Sequence, residues 1–133
     1  MLRLKHHHVD LLRAEARGVY PIEACALIFG KLTNEEAVVK KVVVAPNDLD
    51  STVRFQINPE TVAKAFDEAE KEGLDFIGLF HSHPAPSSPS MIDLKFMKLW
   101  GDALWLISSL TDDKFAAYQL KKGKLKEIAI RIE

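Results

Sequence analysis

The sequence predicts a mixed α/β (α+β) fold in which helices pack against a mixed β-sheet. The run 37–45 is rich in β-branched valines, and the apolar stretch 74–83 ends in two histidines; both patterns are typical of strands. Between them, Asn58-Pro59 opens a segment with a helical apolar stripe. Strand and helix patterns therefore alternate, which predicts the order α-β-β-α-β-α-β-β-β. A length of 133 residues suits one domain, 1–133.

The first half of the chain predicts one helix and two strands. Apolar residues at helical spacing indicate a first helix that ends near Gly18, a natural helix stop. An apolar strand is expected at 24–29. A turn at 30–36 then leads into the β-branched strand 37–45.

The second half predicts two helices and four strands. Asn58 is a suitable helix cap, Pro59 suits the first helical position, and Gly73 suits the helix end. Lys122-Gly123 is typical of a hairpin turn. The remaining elements are the strand 74–83, the proline- and serine-rich loop 84–89, the helix 91–99 and the strands 103–110, 115–120 and 125–132.

The composition restricts the classes of partner and site. The formal net charge is −1, so no basic field predicts a nucleic-acid or membrane partner. Cys25 is the only cysteine, which excludes an intramolecular disulfide and a cysteine-rich metal site and favours a reducing, cytoplasmic location. The start of the chain does not resemble a signal peptide, and no apolar run reaches the roughly 18 residues of a membrane span.

The segment from His81 to Asp93 contains three side chains suited to bind a metal ion. His81 and His83 are two residues apart, so they point to the same face of a strand. Pro84 cannot donate to a sheet ladder, so the strand is expected to end just after His83. Asp93 follows in the first turn of the next helix. Two imidazoles and one carboxylate leave one tetrahedral position for water, which is typical of a catalytic zinc site.

Each of these residues also has a simpler interpretation. Two histidines at this spacing are usually structural, and Ser90 followed three residues later by Asp93 matches a helix capping box. The two interpretations are compatible, because Asp93 can face a metal while Ser90 caps the helix. The joint occurrence of the three side chains at the end of one strand favours metal binding.

Glu23 is the candidate base. It lies between Ile22 and Ala24 at the entry to a hydrophobic strand, where a carboxylate has no packing role and should face a cleft or a partner. Such a glutamate can take a proton from a zinc-bound water and pass it to a leaving amine. The simpler interpretation is an exposed glutamate at a strand end.

Other residues are weaker candidates. The histidine tract 6–8 is interpreted as a solvated helix end or as an added tract. Cys25 is expected to be a buried small apolar residue, with a redox-sensitive thiol as the alternative. Trp100 and Trp105 are expected in the core. Phe55 is expected to pack, with the lining of a substrate groove as the alternative.

An early glutamate, His-Ser-His-Pro at 81–84 and Ser-x-x-Asp at 90–93 together resemble the motif of the JAMM (MPN-plus) metalloproteases. These include deubiquitinases and archaeal and bacterial enzymes that act on small ubiquitin-like proteins. The predicted element order also resembles the JAMM/MPN fold, which is cytidine-deaminase-like. The resemblance implies that His81, His83 and Asp93 bind one Zn²⁺, that Glu23 is the general base and proton shuttle, and that Ser90 helps to stabilise the oxyanion.

The resemblance also implies a substrate. Family members that select one ubiquitin linkage carry inserted loops, whereas the chain between residues 44 and 58 is short and resembles a minimal catalytic core. The implied reaction is hydrolysis of the (iso)peptide bond after the C-terminal Gly-Gly tail of a ubiquitin-like or sulfur-carrier protein. The tail is expected to lie extended along a strand edge. A homodimer is left open.

Five alternatives compete with this interpretation. A metallo-β-lactamase site needs further ligands directly after His83, and an amidohydrolase barrel needs about 250 residues. Two histidines and a carboxylate also hold non-haem iron. A hydrolase of small peptides or amides stays open. A non-catalytic MPN-type scaffold is disfavoured, because such relatives lack ligands that are present here.

Overall fold

The computed structural model describes residues 1–83 and 89–133. Over these residues the helices are α1 (His6–Val19), α2 (Pro59–Lys71) and α3 (Met91–Leu99). The strands are β1 (Leu2–Leu4), β2 (Cys25–Leu32), β3 (Ala37–Ala45), β4 (Asp75–His83), β5 (Leu104–Ser109), β6 (Lys114–Lys121), β7 (Lys124–Ile128) and β8 (Ile130–Ile132). No helix in the described ranges is long and apolar enough to cross a membrane.

The predicted mixed α+β fold class is confirmed, and the structure adds two features to the predicted elements. β1 has no predicted counterpart, because three residues are too few for an alternation pattern and its partners β3 and β8 lie far along the chain. The prediction of a single strand at 125–132 is wrong, because this segment is divided at Ala129 into β7 and β8. Most of the predicted loop 84–89 lies outside the described residues.

The eight strands form one mixed sheet in the order β7-β6-β5-β4-β2-β3-β1-β8. β1 pairs in parallel with β3 and β8, and β4 pairs in parallel with β5, whereas the other neighbours are antiparallel. β7 and β8 lie at opposite ends of this order, yet only Ala129 separates them in the chain. The sheet therefore curls until its two edges meet along the C-terminal segment.

Different helices cover the two faces of the sheet. α1 contributes Leu12 and Ala16 to a core on one face. α2 and α3 contribute Ala69 and Met97 to a core on the other face, where Trp105 of β5 is also buried. Because apolar residues of the central strands alternate between the two cores, both faces of the sheet are protected from water.

β4 and its parallel neighbour β5 approach closely at Gly78. This glycine pairs with Leu104, and a Cβ at its position would lie 1.9 Å from the Leu104 carbonyl oxygen. A larger residue would force one of the two strands to move. Gly78 therefore keeps β4 in place between β2 and β5, and β4 carries both predicted histidine ligands.

Candidate metal centre at the end of strand β4

His81 and His83 lie at the C-terminal end of β4, in the middle of the sheet. Both side chains are buried. Their Nε2 atoms are 3.0 Å apart, as expected for residues two apart on one strand face. His81 stacks on Phe55, which belongs to the core under α2 and α3. The structure thus brings both imidazoles together on the α2–α3 face.

Helix α3 brings Asp93 to the two histidines. Ser90 is the helix N-cap: its Oγ accepts a hydrogen bond from the Asp93 N–H (3.1 Å), and its N–H donates to Asp93 Oδ2 (2.8 Å). This is the predicted capping box. The same Oδ2 atom lies 3.2 Å from His81 Nε2 and 2.9 Å from His83 Nε2. One geometry therefore accommodates both a capping role and a ligand role for Asp93.

These three candidate ligand atoms form a compact triangle with edges of 3.0, 3.2 and 2.9 Å. Ligands about 2.0–2.1 Å from a tetrahedral zinc ion lie about 3.3–3.4 Å from each other, so the triangle has nearly the size of a zinc-binding set. Glu23, His81 and His83 also have ligand atoms within 4.8 Å of one another. Asp93 is nearer to both imidazoles than Glu23 is to His83, and it completes the better set.

Burial and hydrogen bonding determine the charge of the candidate ligands. Burial lowers the pKa of His81, although the Asp93 carboxylate opposes this shift. The imidazole is therefore neutral at pH 7, which is the form that binds metals. Burial also acts to raise the pKa of Asp93, but hydrogen bonds from His81 and His83 outweigh it and hold that pKa well below its usual range. A neutral imidazole beside an ionised carboxylate fits the ligand chemistry of zinc.

Glu23 lies just before β2 and faces His83. Its Oε2 is 3.8 Å from His83 Nε2, and the residue is only 2% exposed. Burial raises the pKa of the carboxyl to about 8; the nearby His83 opposes this shift and the Asp93 carboxylate adds to it. Within the described residues, Oε1 has no hydrogen-bond partner. The interpretation of Glu23 as an exposed strand-end residue is therefore wrong.

Comparison with known proteins identifies the family of this chain. The family model of prokaryotic homologs of the JAB domain matches residues 5–121. The chain belongs to this family. The desampylase of Pyrococcus furiosus is 41% identical to this JAB-domain protein over 113 residues, which are 84% of this chain and 77% of the relative. The AMSH-like protease of Mus musculus is 26% identical over 127 residues, covering 92% of this chain and 28% of that protein.

Solved structures share the fold of this JAB-domain protein. The solution structure of a Desulfitobacterium hafniense protein matches all of this chain and 93% of its own, with a TM-score of 0.90 and 28% identity. A JAB1/MPN domain protein from Archaeoglobus fulgidus matches 99% of this chain and 97% of its own, with a TM-score of 0.66 and 19% identity. The predictions of a JAMM family member, of its fold and of a JAMM-type enzyme are confirmed.

Two aromatic side chains enclose His81 in this JAB-domain protein. Phe55 stacks on the imidazole with ring centroids 5.0 Å apart, and Trp105 meets it edge-on at 5.8 Å. Phe55 is buried, which favours its packing interpretation over the lining of an open groove. Trp105 is a core residue, as predicted. Trp100 is only half-buried, because it follows α3 as the C-cap at the edge of the same core.

Cys25 and His8, the last residue of the histidine tract, are both buried and hydrogen-bonded to the backbone. Cys25 is fully buried, its Sγ donates to the Ala45 carbonyl oxygen (3.3 Å), and burial raises its pKa to about 12. A buried, protonated thiol is unreactive, which favours the packing interpretation.

In the tract 6–8, which opens α1, His8 is buried and its Nδ1 accepts from the Lys5 N–H (3.1 Å). The tract is therefore part of a helix cap rather than fully solvated.

Two buried polar residues beside the site were absent from the sequence-based prediction. Asn47 Nδ2 donates to the Glu23 carbonyl oxygen (3.1 Å), and Ser82 Oγ accepts from the Ala24 N–H (2.8 Å). Their sequence signals are weak but physical. An asparagine after a proline at the start of a polar loop is typical of a turn, and a serine inside an apolar strand needs a buried hydrogen-bond partner.

Proposed function

We propose that this chain is a zinc-dependent isopeptidase that cleaves the (iso)peptide bond after the C-terminal Gly-Gly tail of a ubiquitin-like or sulfur-carrier protein. The observation that carries the proposal is the convergence of His81, His83 and Asp93 into one buried triangle, with the Glu23 carboxyl 3.8 Å from His83. The desampylase and AMSH-like protease relatives support the same class of activity.

In the proposed centre, His81, His83 and Asp93 hold one zinc ion per chain. The neutral imidazole of His81, the carboxylate of Asp93 and the distances between the three ligand atoms fit that ion. When bound, zinc supplies a Lewis acid that polarises a carbonyl group and lowers the pKa of water. The β4 backbone and the α3 cap hold the three side chains in this arrangement before substrate arrives, so little reorganisation is needed.

Glu23 is the proposed general base and proton shuttle. Its carboxyl accepts a proton from the attacking water and returns it to the leaving amine. A pKa of about 8 suits both steps near neutral pH. Its Oε1 makes no hydrogen bond to any described residue, so this buried oxygen keeps an unused acceptor. Glu23 is the proposed catalytic residue and does not complete the metal triangle.

Ser90 is proposed to stabilise the oxyanion of the tetrahedral intermediate. Its Oγ accepts from the Asp93 N–H, which leaves the hydroxyl proton as a donor. The capping box holds Ser90 next to the ligand Asp93. A hydroxyl donor fixed beside the reacting carbonyl stabilises negative charge that develops in the transition state.

The burial of the site supports a substrate with little side-chain bulk at the cleaved bond. His81, Glu23 and Asp93 are 0%, 2% and 2% exposed. A Gly-Gly tail carries no Cβ atoms and can approach such a recessed centre closely. The chain between β3 and α2 holds only residues 46–58, which supports a minimal catalytic core. A cytoplasmic location stays a prediction, and a homodimer stays open.

The test is cleavage of an isopeptide conjugate between a ubiquitin-like protein ending in Gly-Gly and a lysine peptide. The protein is purified without added metal, and its metal content is measured. We expect bound zinc, turnover that a chelator abolishes and zinc restores, and no cleavage of a matched conjugate ending in Ala-Ala. Turnover that persists in chelator would contradict the zinc role. Comparable turnover of short unrelated peptides would instead favour a hydrolase of small amides.

A further inference from the structure

We propose that Asn47 and Ser82 are positioning residues that hold Glu23 beside His83; this inference rests on the function proposed for Glu23. Glu23 precedes β2, which begins at Cys25. Its carboxylate has no short hydrogen bond in the described part of the chain, since Oε1 has no partner there and Oε2 is 3.8 Å from His83 Nε2. The position of the carboxylate therefore depends on how its backbone is anchored.

All four backbone polar groups of Glu23 and Ala24 are bound. The Glu23 N–H donates to the Ser51 carbonyl oxygen (2.9 Å), and the Glu23 carbonyl accepts from Asn47 Nδ2 (3.1 Å). The Ala24 N–H donates to Ser82 Oγ (2.8 Å), and the Ala24 carbonyl accepts from the Ser82 N–H (3.1 Å). The two side chains that take part, those of Asn47 and Ser82, are named the Glu23 clamp.

Asn47 connects Glu23 to the loop between β3 and α2. It is 8% exposed. Its Nδ2 also donates to the carbonyl oxygens of Arg54 (3.0 Å) and Ser51 (3.4 Å). Its Oδ1 accepts from the N–H groups of Leu49 (3.0 Å) and Gln56 (3.2 Å). An aspartate has nearly the same shape but cannot donate to the carbonyl groups. Asn47→Asp therefore removes the donor half of the contact without removing the side chain.

Ser82 connects Glu23 to the strand that carries the histidines. It lies between His81 and His83, so its side chain points to the opposite face of β4, and it is fully buried. Alanine at this position would leave the buried Ala24 N–H without its hydroxyl partner. Threonine keeps the hydroxyl. Ser82→Thr is therefore the conservative variant that should rescue the loss caused by Ser82→Ala.

The test compares Asn47→Asp, Asn47→Ala, Ser82→Ala and Ser82→Thr in the full, zinc-loaded chain. Asn58→Ala is the matched control, because Asn58 Oδ1 caps α2 from the same loop but makes no hydrogen bond to Glu23 in the described part of the chain. The measurements are kcat and KM on the Gly-Gly conjugate, zinc affinity by competition with a chromophoric chelator, and crystal structures of the variants.

We expect kcat to fall about 10- to 100-fold in Asn47→Asp, Asn47→Ala and Ser82→Ala, because a misplaced catalytic group loses this much. KM and zinc affinity should stay within about twofold of wild type. Ser82→Thr and Asn58→Ala should keep the wild-type kcat. An equal loss in Asn58→Ala, or a loss of zinc affinity in parallel with kcat, would assign the clamp a merely structural role and overturn the proposal.

The crystal structures give a result that does not depend on turnover. We expect the Glu23 carboxylate to move away from His83 in the clamp variants, and an unchanged separation of 3.8 Å would overturn the proposal. If wild type cleaves no conjugate, the proposed function fails, while a displaced Glu23 still supports the clamp. If an alanine variant does not fold, the kcat and the crystal structure of Asn47→Asp test the proposal, because this variant keeps the shape and the acceptor of Asn47.

Discussion

Glu23 and Cys25 are two residues apart, and burial raises the pKa of both side chains with opposite chemical results. The pKa of Cys25 rises to about 12, so its thiol stays protonated and unreactive. The pKa of Glu23 rises to about 8, so its carboxyl exchanges a proton near neutral pH, where a general base is most effective. The ordinary pKa of each group decides whether the same burial makes it inert or useful.

Glu23→Gln is expected to keep zinc and to lower kcat about 10²- to 10⁴-fold. The reason is that Glu23 lies outside the compact triangle of His81, His83 and Asp93. His83→Ala is the matched variant and should lose both zinc and turnover. Zinc content after dialysis and steady-state kinetics check both expectations. Loss of zinc from Glu23→Gln would assign this residue a ligand role instead.

The raised pKa of Glu23 predicts a pH-dependent stability in the metal-free protein. The carboxyl has an ordinary pKa of 4.5 and a folded-state pKa of about 8. Between these values the folded state holds a proton that the unfolded state has lost, so the contribution of Glu23 to stability falls as pH rises. Glu23→Gln removes this titration. Its stability relative to wild type should therefore increase from about pH 5 to about pH 8.

Denaturant unfolding with chelator present, at several pH values, measures this difference. Because wild type and Glu23→Gln share every other titrating group, their difference reports the titration of Glu23 together with its coupling to His83 and Asp93. A difference that stays constant over the range would show that the folded carboxyl titrates at its ordinary pKa.

The convergence of the candidate ligands could be predicted because their pattern is local, whereas the residues beside them that anchor Glu23 could not be predicted. His81, His83 and Asp93 lie within 13 residues, and strand alternation with a helix cap is enough to bring them together. Glu23 lies far from them in sequence; its hydrophobic surroundings made it a candidate base, and the resemblance to the JAMM family implied the same role. Asn47 joins the site only through the folded loop, which no local pattern specifies.

At the scale of elements, β4 depends on the absence of a side chain at Gly78. Gly78→Ala places a Cβ 1.9 Å from the Leu104 carbonyl oxygen and should lower the free energy of unfolding by about 1–3 kcal/mol. Gly18→Ala is the matched control, because Gly18 lies in α1 with no atom within 4 Å of the added Cβ. Alanine there should be neutral or stabilise the helix by up to about 1 kcal/mol.

Thermal and denaturant unfolding of the two variants check these opposite signs. A Gly78→Ala protein as stable as wild type would mean that β4 and β5 separate without loss. It would then remove the argument that this contact fixes the position of the histidines.

The longer elements could be predicted because the residue pattern that specifies each of them lies within the element itself. The terminal strands could not be predicted. The valine-rich run of β3 and the Asn58-Pro59 start of α2 indicate their own structures. β1 and β8 have three residues each; β8 forms by pairing with β1, and β1 forms by pairing with both β8 and β3. Strand order is likewise a property of distant partners, so the curled sheet was beyond sequence patterns.

At the scale of the whole molecule, β8 closes the sheet against β1. Deletion of residues 130–133 removes this pairing and takes Ile130 away from the core under α1. We expect a loss of about 2–5 kcal/mol in the free energy of unfolding, similar to removal of a large core side chain. Glu133→Gln is the control, because it removes the ion pairs of this carboxylate with Arg3 at 2.6 Å and with Arg131 at 3.9 Å but leaves the strand pairing in place.

This control should change the melting temperature only slightly, since Arg3 and Glu133 are about one-third exposed and such pairs stabilise little. Calorimetry of the deletion and of Glu133→Gln separates strand pairing from charge. Equal effects of the two changes would mean that the ion pair, and not β8, holds the sheet closed.

The side-by-side placement of β1 and β8 also makes the protein suitable for circular permutation. Leu2 lies opposite Ile130 and Leu4 opposite Ile132, so the two chain ends are separated by roughly the length of a three-residue strand, about 10 Å. A linker of about six residues can join them. New ends at the exposed Lys122-Gly123 turn would then leave every strand of the sheet intact and lie away from the histidine end of β4.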